Sequence, residues 1–383
     1  MVSRLMTAMA LSLLLVASAR AAEGMPARIE IGSGLQQARP LAGPLPAPLQ
    51  QAHVQSKSAH TISHYTEIIA MCEQAIEKTH DPAARQYAMQ LLAWAANRRG
   101  EAYSQEAVRL TAAGKLDEAA AQDAQALADF DTSAMNDPRK WKALHNRGVS
   151  YALLGRYEEA LSDLTKAIEL NGTDANTWFN RAEVRYELGQ YEDATDDYTQ
   201  VIERAPEDFG AFTGRGHAWF RMGEFHKALA DYSRSAVINP KSAGALVNRG
   251  DAHRQLGKWS EAAADYREAV KLDENYGRAY RAAAWLMATC PDEKYRNAEL
   301  AIRAAEQALK LDGAEDFAYH DTVAAALANA GKYSEAVAAA QEALAAVSDE
   351  ARESVEERLV LYQAQKPYRL PLQFAARPTP ARR

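Results

Sequence analysis

The sequence predicts an all-α protein, a right-handed α-solenoid of stacked antiparallel helix pairs. The main observation is an internal repeat, because several columns of residues recur at a step of 34 residues. Repeats of this length are typical of helical units that bury their apolar faces against their neighbours. A second observation is that nine of the 14 prolines lie in residues 26–48 and 367–380, so helix breakers are rare in between. A third is that 20 glycines in 383 residues are too few for a turn-rich β protein.

The N-terminal segment predicts export. Residues 1–22 have the pattern of a secretory signal peptide, with Arg4 before an apolar run and small residues around Ala19. The apolar run is shorter than the roughly 20 residues of a membrane-spanning helix, so cleavage is favoured over retention as an anchor. We therefore expect a periplasmic or extracellular protein whose mature form has no membrane span. Residues 23–60 are rich in Pro and Gly and predict a disordered tether.

Upstream of the regular array, residues 61–140 predict an N-terminal cap helix and a divergent, elongated hairpin. In this hairpin, 14 residues separate Gly100 from Gly114, where the regular repeats have seven between the equivalent positions. Seven residues are about two helical turns, so the buried face of each helix is kept while the hairpin becomes longer.

Residues 141–276 contain four regular repeats. One glycine recurs in each repeat, and an aromatic side chain follows two residues later. These glycines are Gly155, Gly189, Gly223 and Gly257. Glycine tolerates the left-handed conformation that ends a helix, so this column predicts the turn between the two helices of a pair. A proline after the second helix, as at Pro206, predicts the end of a repeat.

These columns resemble the tetratricopeptide repeat of bacterial proteins, which forms two antiparallel helices in every 34 residues. The resemblance lies in the small residue of the first helix (Gly148), the Gly-x-aromatic turn, the alanine of the second helix (Ala160) and the closing proline. One departure is that Arg147 and its equivalents occupy a column that usually holds leucine. The resemblance implies a superhelix whose inner groove receives a protein or an extended peptide.

An arginine column and an aspartate column repeat in phase with the glycines. Both lie eight residues from the turn glycine, so they face each other on antiparallel helices. The spacing predicts a structural ion pair within each repeat or with the next one. The pairs are Arg147 with Asp163, Arg181 with Asp197, Arg215 with Asp231, and Arg249 with Asp265. A row of functional charges along the solenoid is the alternative, although charged stripes are usually solvated or paired.

Further divergent units follow the regular repeats. They are predicted to be a repeat with an expanded turn (277–314), a divergent repeat (315–347), a C-terminal capping helix (348–366) and a disordered tail (367–383). Terminal units are expected to differ from the others because one of their faces meets water.

No residue pattern indicates catalysis, a cofactor or a metal site. His60 and His64 lack the adjacent glutamate of a zinc protease. Cys72 and Cys290 are separated by several helical layers, which is too far for a disulfide, and we expect two buried free thiols. The net charge of −7 disfavours binding to nucleic acid. We therefore expect no enzyme activity, no cofactor and no nucleic-acid partner.

The resemblance places a candidate protein-binding groove on the first helices of the repeats. The candidate residues are Lys142, His145, Phe179, Glu183, Tyr186, Glu187, His217, Phe220, Arg221, Asp251, Arg254 and Gln255. Aromatic and Arg side chains are frequent in binding hot spots, which favours a functional surface. The alternative is that the rings only pack one first helix against the next. The stripe lacks the Lys and Asn pattern of the chaperone-tail carboxylate clamp, so we expect no such clamp.

The leading hypothesis is an exported, non-enzymatic scaffold that binds a protein or an extended peptide of unknown identity. We expect a role in envelope assembly or complex formation. Two alternatives belong to other classes of protein. One is an architectural envelope component that binds cell-wall polymer, and the other is an enzyme with an unrecognised site, for example near His320 or Asp292.

Overall fold

The computed structural model describes residues 45–312 and 316–371. Within these ranges the regular secondary structure is helical and contains no strand. The predicted all-α fold class, built from stacked antiparallel helix pairs, is confirmed. The predicted signal peptide (1–22), the tether up to residue 44 and the tail from residue 372 lie outside the described residues. Contacts divide the chain into two compact bodies, Met1–Arg204 and Ala205–Arg383.

The N-terminal body is a series of helical hairpins in which each helix packs against the next. Its helices are α1 (Ala47–Ser56), α2 (Ile62–Lys78), α3 (Pro82–Ala112), α4 (Leu116–Asn136), α5 (Trp141–Leu153), α6 (Tyr157–Leu170), α7 (Ala175–Glu187) and α8 (Tyr191–Arg204). The pairs α3–α4, α5–α6 and α7–α8 are antiparallel hairpins. In the elongated hairpin α3 has 31 residues and α4 has 21, where the regular helices have 13 or 14.

The C-terminal body continues the same plan. Its helices are α9 (Phe209–Arg221), α10 (Phe225–Ile238), α11 (Ala243–Gln255), α12 (Trp259–Leu272), α13 (Gly277–Thr289), α14 (Ala298–Asp312), α15 (Phe317–Asn329), α16 (Tyr333–Ala346) and α17 (Asp349–Gln363). The expanded turn between α13 and α14 contains a short 3₁₀ helix, Glu293–Tyr295. Helix α17 packs against α16 as the capping helix of this body.

The turn glycines occupy equivalent bends in all four regular repeats. Their φ angles are 71° at Gly155, 73° at Gly189, 79° at Gly223 and 69° at Gly257, all in the left-handed region. In each bend the residue after the glycine donates its N–H back to the first helix, as Arg156 does to the Tyr151 carbonyl at 2.8 Å. These hydrogen bonds give a donor to carbonyls at the end of the helix that have none within it. The glycine column therefore ends the first helix, as predicted.

Glycine in the first helix lets the two helices of a hairpin approach closely. A Cβ added at Gly250 would lie 2.5 Å from the Tyr266 ring, and one at Gly216 would lie 2.6 Å from the Tyr232 ring. Both tyrosines are almost fully buried. The column of small residues in the first helix therefore makes room for a large aromatic side chain of the second helix in the same hairpin.

Helix α1 corrects the predicted tether. Residues 47–56 fall within the segment 23–60, yet they form a helix whose Leu49 and Ala52 are fully buried against the apolar cluster of α2 and α3. Pro46 is the N-cap and Pro48 lies in the first turn, where the missing N–H costs no helical hydrogen bond. Proline content alone therefore gave the wrong answer for these residues.

Candidate binding surface on the first helices

The predicted arginine–aspartate pairs are present and hold each regular hairpin together. In each pair the guanidinium donates two hydrogen bonds to the carboxylate of an aspartate 16 residues later. The Nε to Oδ2 distance is 2.6 Å for Arg147 and Asp163 and 2.8 Å for Arg181 and Asp197. The hydrogen bond to Asp163 raises the pKa of Arg147 above its usual value. The aspartates are buried, so these charges stabilise the hairpins and are not presented to a ligand.

A fifth pair occurs in the elongated hairpin, where the sequence analysis did not assign one. Arg99 donates from Nε and Nη2 to Asp129 at 2.8 and 2.7 Å, across a separation of 30 residues. Arg99 directly precedes Gly100, as Arg147 precedes Gly148. Arg99 and Asp129 each lie 15 residues from the turn glycine Gly114, seven more than in a regular repeat. The shared Arg-Gly dipeptide was the pattern that could have predicted this pair.

The first helices of the N-terminal body are joined side by side by polar side chains. We call the exposed and partly buried side chains of α3, α5 and α7 around Glu101, His145, Glu183 and Glu187 the N-terminal A face. Asn146 donates to the Asn97 Oδ1 at 3.1 Å, which links α5 to α3. His145 Nδ1 lies 2.8 Å from the Thr177 hydroxyl, which links α5 to α7. These contacts fix the position of one first helix against the next.

The predicted groove residues of this face have different roles. Phe179 is 5% exposed and its ring packs edge-on against Tyr198, so it belongs to the core. Tyr186 packs in the same way against Tyr191. Lys142 and Glu187 are exposed.

Glu183 is the A-face residue with the most altered acidity. It accepts a hydrogen bond from the Tyr198 hydroxyl, which partly favours the carboxylate. Burial has the larger effect and, together with the nearby charge of Glu187, raises the pKa of Glu183 to about 7. The charge of the N-terminal A face therefore changes near neutral pH.

Asp251 is the centre of the corresponding surface in the C-terminal body. We call the side chains of α9, α11, α13 and α15 around Phe220, Asp251, Arg278 and Trp285 the C-terminal A face. Asp251 accepts a hydrogen bond from Tyr266 at 2.8 Å and lies 3.3 Å from the Arg278 guanidinium. Arg278 also donates to Asn248 at 2.8 Å, which joins α13 to α11.

The other predicted residues of this face surround Asp251 or lie beside it. The Arg254 guanidinium is 3.7 Å from Asp251, and Gln255 is partly buried next to it in the sequence. Phe220 packs edge-on against Phe225 and stays partly exposed, while Arg221 is exposed. Burial, with a further effect of the Arg278 charge, lowers the pKa of His217 to about 4, so this histidine is neutral at pH 7.

The end of the described chain lies on the C-terminal A face, which corrects the predicted tail. Gln365 adopts a left-handed conformation with φ of 55°, and residues 366–371 then run back without helical structure. The Tyr368 ring lies 6.0 Å from the Trp285 ring. Leu370 donates its N–H to the Thr289 carbonyl at 2.9 Å and is 8% exposed. The segment predicted as disordered is therefore docked over residues 367–370.

Arg358 and Arg369 fasten this segment to the helices beneath it. Arg369 donates to the Ala288 carbonyl and to the Asn329 side chain, both at 2.9 Å. The Arg358 guanidinium lies 5.5 Å from both the Trp285 and the Tyr368 ring centres. Trp285 occupies the same position of its helix as Glu183 and Asp251, a column from which the groove prediction could have identified it.

The described residues show no arrangement suited to metal binding, and both cysteines within them are buried and free. Burial raises the pKa of the Cys72 thiol to about 12, which makes it a poor nucleophile at neutral pH. Between residues 45 and 371, leaving out 313–315, no helix combines the length and the apolar character needed to cross a membrane.

Family models match three segments of the chain. The tetratricopeptide repeat model matches residues 141–174 and 175–208, and a second tetratricopeptide repeat model matches residues 243–276. No curated protein sequence matches the chain significantly.

Solved structures of the same fold class match a larger part of the chain than the family models do. A tetratricopeptide repeat protein from Parabacteroides merdae matches with a TM-score of 0.52 and 17% identity, covering 69% of this chain and 98% of that protein. MamA from Desulfovibrio magneticus RS-1 matches with a TM-score of 0.40 and 18% identity, covering 46% and 95%. YrrB, described as a tetratricopeptide repeat protein with an unusual peptide-binding site, matches with a TM-score of 0.39 and 20% identity, covering 47% and 89%. The chain thus contains tetratricopeptide repeats and has the fold of solved tetratricopeptide repeat proteins.

Proposed function

We propose that this protein is a non-enzymatic scaffold that binds a protein or an extended peptide on its A faces. The observation that carries the proposal is the docking of residues 366–371 on the C-terminal A face. The segment is held there by one backbone hydrogen bond, from Leu370 to Thr289 of α13, and by aromatic and Arg side-chain contacts. The surface thus has the chemistry needed to hold an extended chain, which is the binding mode expected of this kind of groove.

The state of the A faces before binding also supports the proposal. Asn146, His145, Asp251 and Arg278 already lie in hydrogen-bond networks between neighbouring first helices. A surface fixed in this way loses little conformational entropy on binding, so the ordering cost falls on the ligand. We expect exchangeable binding in the micromolar range for a short peptide, about −8 kcal/mol.

Site-specific photo-crosslinking in the native cells tests this proposal. A benzoylphenylalanine at position 221 or 255, on the C-terminal A face, should capture the same partner, identified by mass spectrometry. The control is position 230 on helix α10, where Ala230 is exposed like Arg221 but lies on a second helix. Capture of that partner from position 230 as efficiently as from 221 and 255 would contradict binding at the A face.

The cellular setting is a separate part of the proposal. We propose that the protein is exported and acts in envelope assembly or complex formation, on the strength of the signal-like pattern in residues 1–22. Fractionation of a C-terminally tagged chain, with N-terminal sequencing of the product, should give a processed envelope or extracellular form. A full-length cytoplasmic product would contradict export and leave the A-face proposal standing. Retention on isolated cell-wall material in the absence of other proteins would favour the architectural alternative.

A further inference from the structure

A cavity of about 570 Å³ lies in the C-terminal body between α12, α13 and α14. Its volume falls within the range of small-molecule binding sites. The cavity does not involve the A-face residues Asp251, Arg254 or Trp285. Its lining residues are Ala263, Tyr266, Arg267, Val270, Lys271, Tyr280, Ala283, Leu286, Met287, Lys294, Tyr295, Arg296, Asn297, Leu300, Arg303 and Ala304.

The expanded turn between α13 and α14 forms one wall of this cavity. Arg296 donates from Nη1 to the Cys290 carbonyl at 2.9 Å and to the Pro291 carbonyl at 3.0 Å. The Asn297 N–H donates to the Met287 carbonyl at 3.1 Å. The turn that forms this wall is therefore held by its own hydrogen bonds. The regular repeats lack this insertion.

The lining combines an apolar interior with a positively charged rim. Most of the lining side chains are aliphatic or aromatic, and Leu286 is 2% exposed. The five charged lining side chains are all cationic: Arg267, Lys271, Lys294, Arg296 and Arg303. In a chain with a net charge of −7, such a concentration of positive charge identifies a local preference for anions.

The carboxylates near these cations do not line the cavity. Lys271 pairs with Glu268, Lys294 with Asp292 and Arg303 with Glu299, each within one turn of its own element. Glu268, Asp292 and Glu299 are absent from the lining. These pairs are largely exposed, and exposed pairs of this kind hold their partners weakly. The side chains of Lys271, Lys294 and Arg303 can therefore reorient towards an anion at the rim, while Arg296 keeps its hydrogen bonds to the turn.

We propose that this cavity binds an amphipathic organic anion, a medium-chain carboxylate whose hydrocarbon part fills the interior and whose head group meets the cationic rim. The apolar side chains provide the driving force by burying hydrocarbon. The Lys and Arg side chains provide selectivity for the charged head group. This site is separate from the A-face residues Asp251, Arg254 and Trp285 and does not rest on the proposed peptide binding.

Calorimetric titration of the full chain with decanoate, below its micelle-forming concentration, tests the proposal. We expect binding at one site per chain, with decan-1-ol and decyltrimethylammonium at least tenfold weaker because they lack the negative charge. Equal affinity for decanoate and decan-1-ol would overturn the assigned role of the rim. Failure of decanoate to bind at all would overturn the whole proposal.

Two kinds of variant locate the site. Arg267→Glu combined with Arg303→Glu should weaken decanoate binding at least tenfold, while Lys310→Glu, an exposed change on the same helix α14 but outside the cavity, should leave it unchanged. Ala304→Phe, whose ring would occupy the interior, should abolish binding if circular dichroism shows the fold intact. If Ala304→Phe unfolds, the decanoate affinity of the Arg267→Glu, Arg303→Glu chain alone tests the location of the site. Unchanged decanoate affinity in the Arg267→Glu, Arg303→Glu chain would refute the site.

Discussion

The carboxyl of Glu183 shows how the environment of one residue can make stability depend on pH. Its pKa in the folded chain is about 7, against 4.5 for an ordinary glutamate, so the folded state holds its proton more tightly than the unfolded state. The stabilisation is complete below pH 4.5 and is lost as the pH rises towards 7. Over this window the loss amounts to about 3 kcal/mol at most.

Glu183→Gln should remove this dependence, because glutamine keeps the hydrogen-bond acceptor for Tyr198 but cannot ionise. In urea unfolding, we expect Glu183→Gln to have a clearly higher free energy of unfolding than the native chain at pH 8. At pH 4.5 the two free energies should differ little or not at all. The control is Glu158→Gln, since Glu158 is exposed on helix α6 of the same body and does not contribute to the pKa of Glu183. An equal difference in the free energy of unfolding at both pH values would show that burial does not control this carboxyl.

The Arg–Asp columns lead to a second prediction for single residues. Asp197 is 1% exposed and lies within 2.7 Å of both the Arg181 and the Arg185 guanidinium. Asp197→Ala would leave two partly buried cations without their carboxylate, which should cost about 3–5 kcal/mol. Urea unfolding monitored by circular dichroism measures this loss. Glu159→Ala, which removes an exposed pair with Arg156, should cause no measurable change. Similar effects of the two substitutions would contradict a structural role for the buried column.

At the scale of an element, residues 366–371 behave as a bound peptide that is part of the same chain. The segment forms contacts with α13, α15 and α17 instead of a second helix after the turn at Gln365. A tethered ligand has an effective concentration in the millimolar range, so it competes strongly with free peptides. The segment therefore limits access to the part of the C-terminal A face around Trp285.

Ending the chain at Gln365 should open this part of the surface. A synthetic peptide with the sequence of residues 366–371 should bind the shortened chain at micromolar concentration and the complete chain at least tenfold more weakly. Fluorescence anisotropy of the labelled peptide measures both affinities. The control peptide carries alanine at the positions of Tyr368 and Arg369 and should bind neither chain. Equal affinity of the native-sequence peptide for both chains would contradict occupation of the face by the segment.

For the whole molecule, the repeat columns predicted the parts of the fold that depend on residues close to each other in the sequence. The turn at Gly155 and the pair of Arg147 with Asp163 depend on a spacing that can be counted along the chain. The docking of Tyr368 on Trp285 depends on contacts between residues 83 positions apart, and no spacing rule describes them. Helix α1 was missed because composition does not tell a proline in a first turn from one in a tether.

The candidate site was predictable to a smaller degree for the same reason. Helical spacing placed Lys142, Glu187 and Arg221 on exposed positions of the first helices, and they are exposed. Spacing does not show how deep a side chain lies, so Phe179 was included although it is buried. The charge state of Glu183 depends on burial in three dimensions and has no counterpart in the sequence pattern.

In the C-terminal body each hairpin contacts mainly its neighbours, so the effect of a local change should stay local. Arg358 donates to Asp321 on α15 at 2.9 and 2.8 Å and packs against Trp285 and Tyr368, so it joins α13, α15, α17 and the end of the chain. Arg358→Ala leaves the buried carboxylate of Asp321 without this partner. In a repeat array the stability is a sum over the interfaces between neighbouring repeats. The loss of this contact should therefore lower the protection against hydrogen exchange only near Arg358.

Hydrogen exchange followed by mass spectrometry should therefore show at least tenfold faster exchange in residues 317–371 of Arg358→Ala. Exchange in α9 and α10, which lie in the same body but do not contact Arg358, should stay as in the native chain. Glu356→Ala, an exposed change on the same helix α17, serves as the control and should alter neither region. Uniform acceleration from α9 to residue 371 would mean that this body opens as one cooperative unit, and the nearest-neighbour description of its stability would then fail.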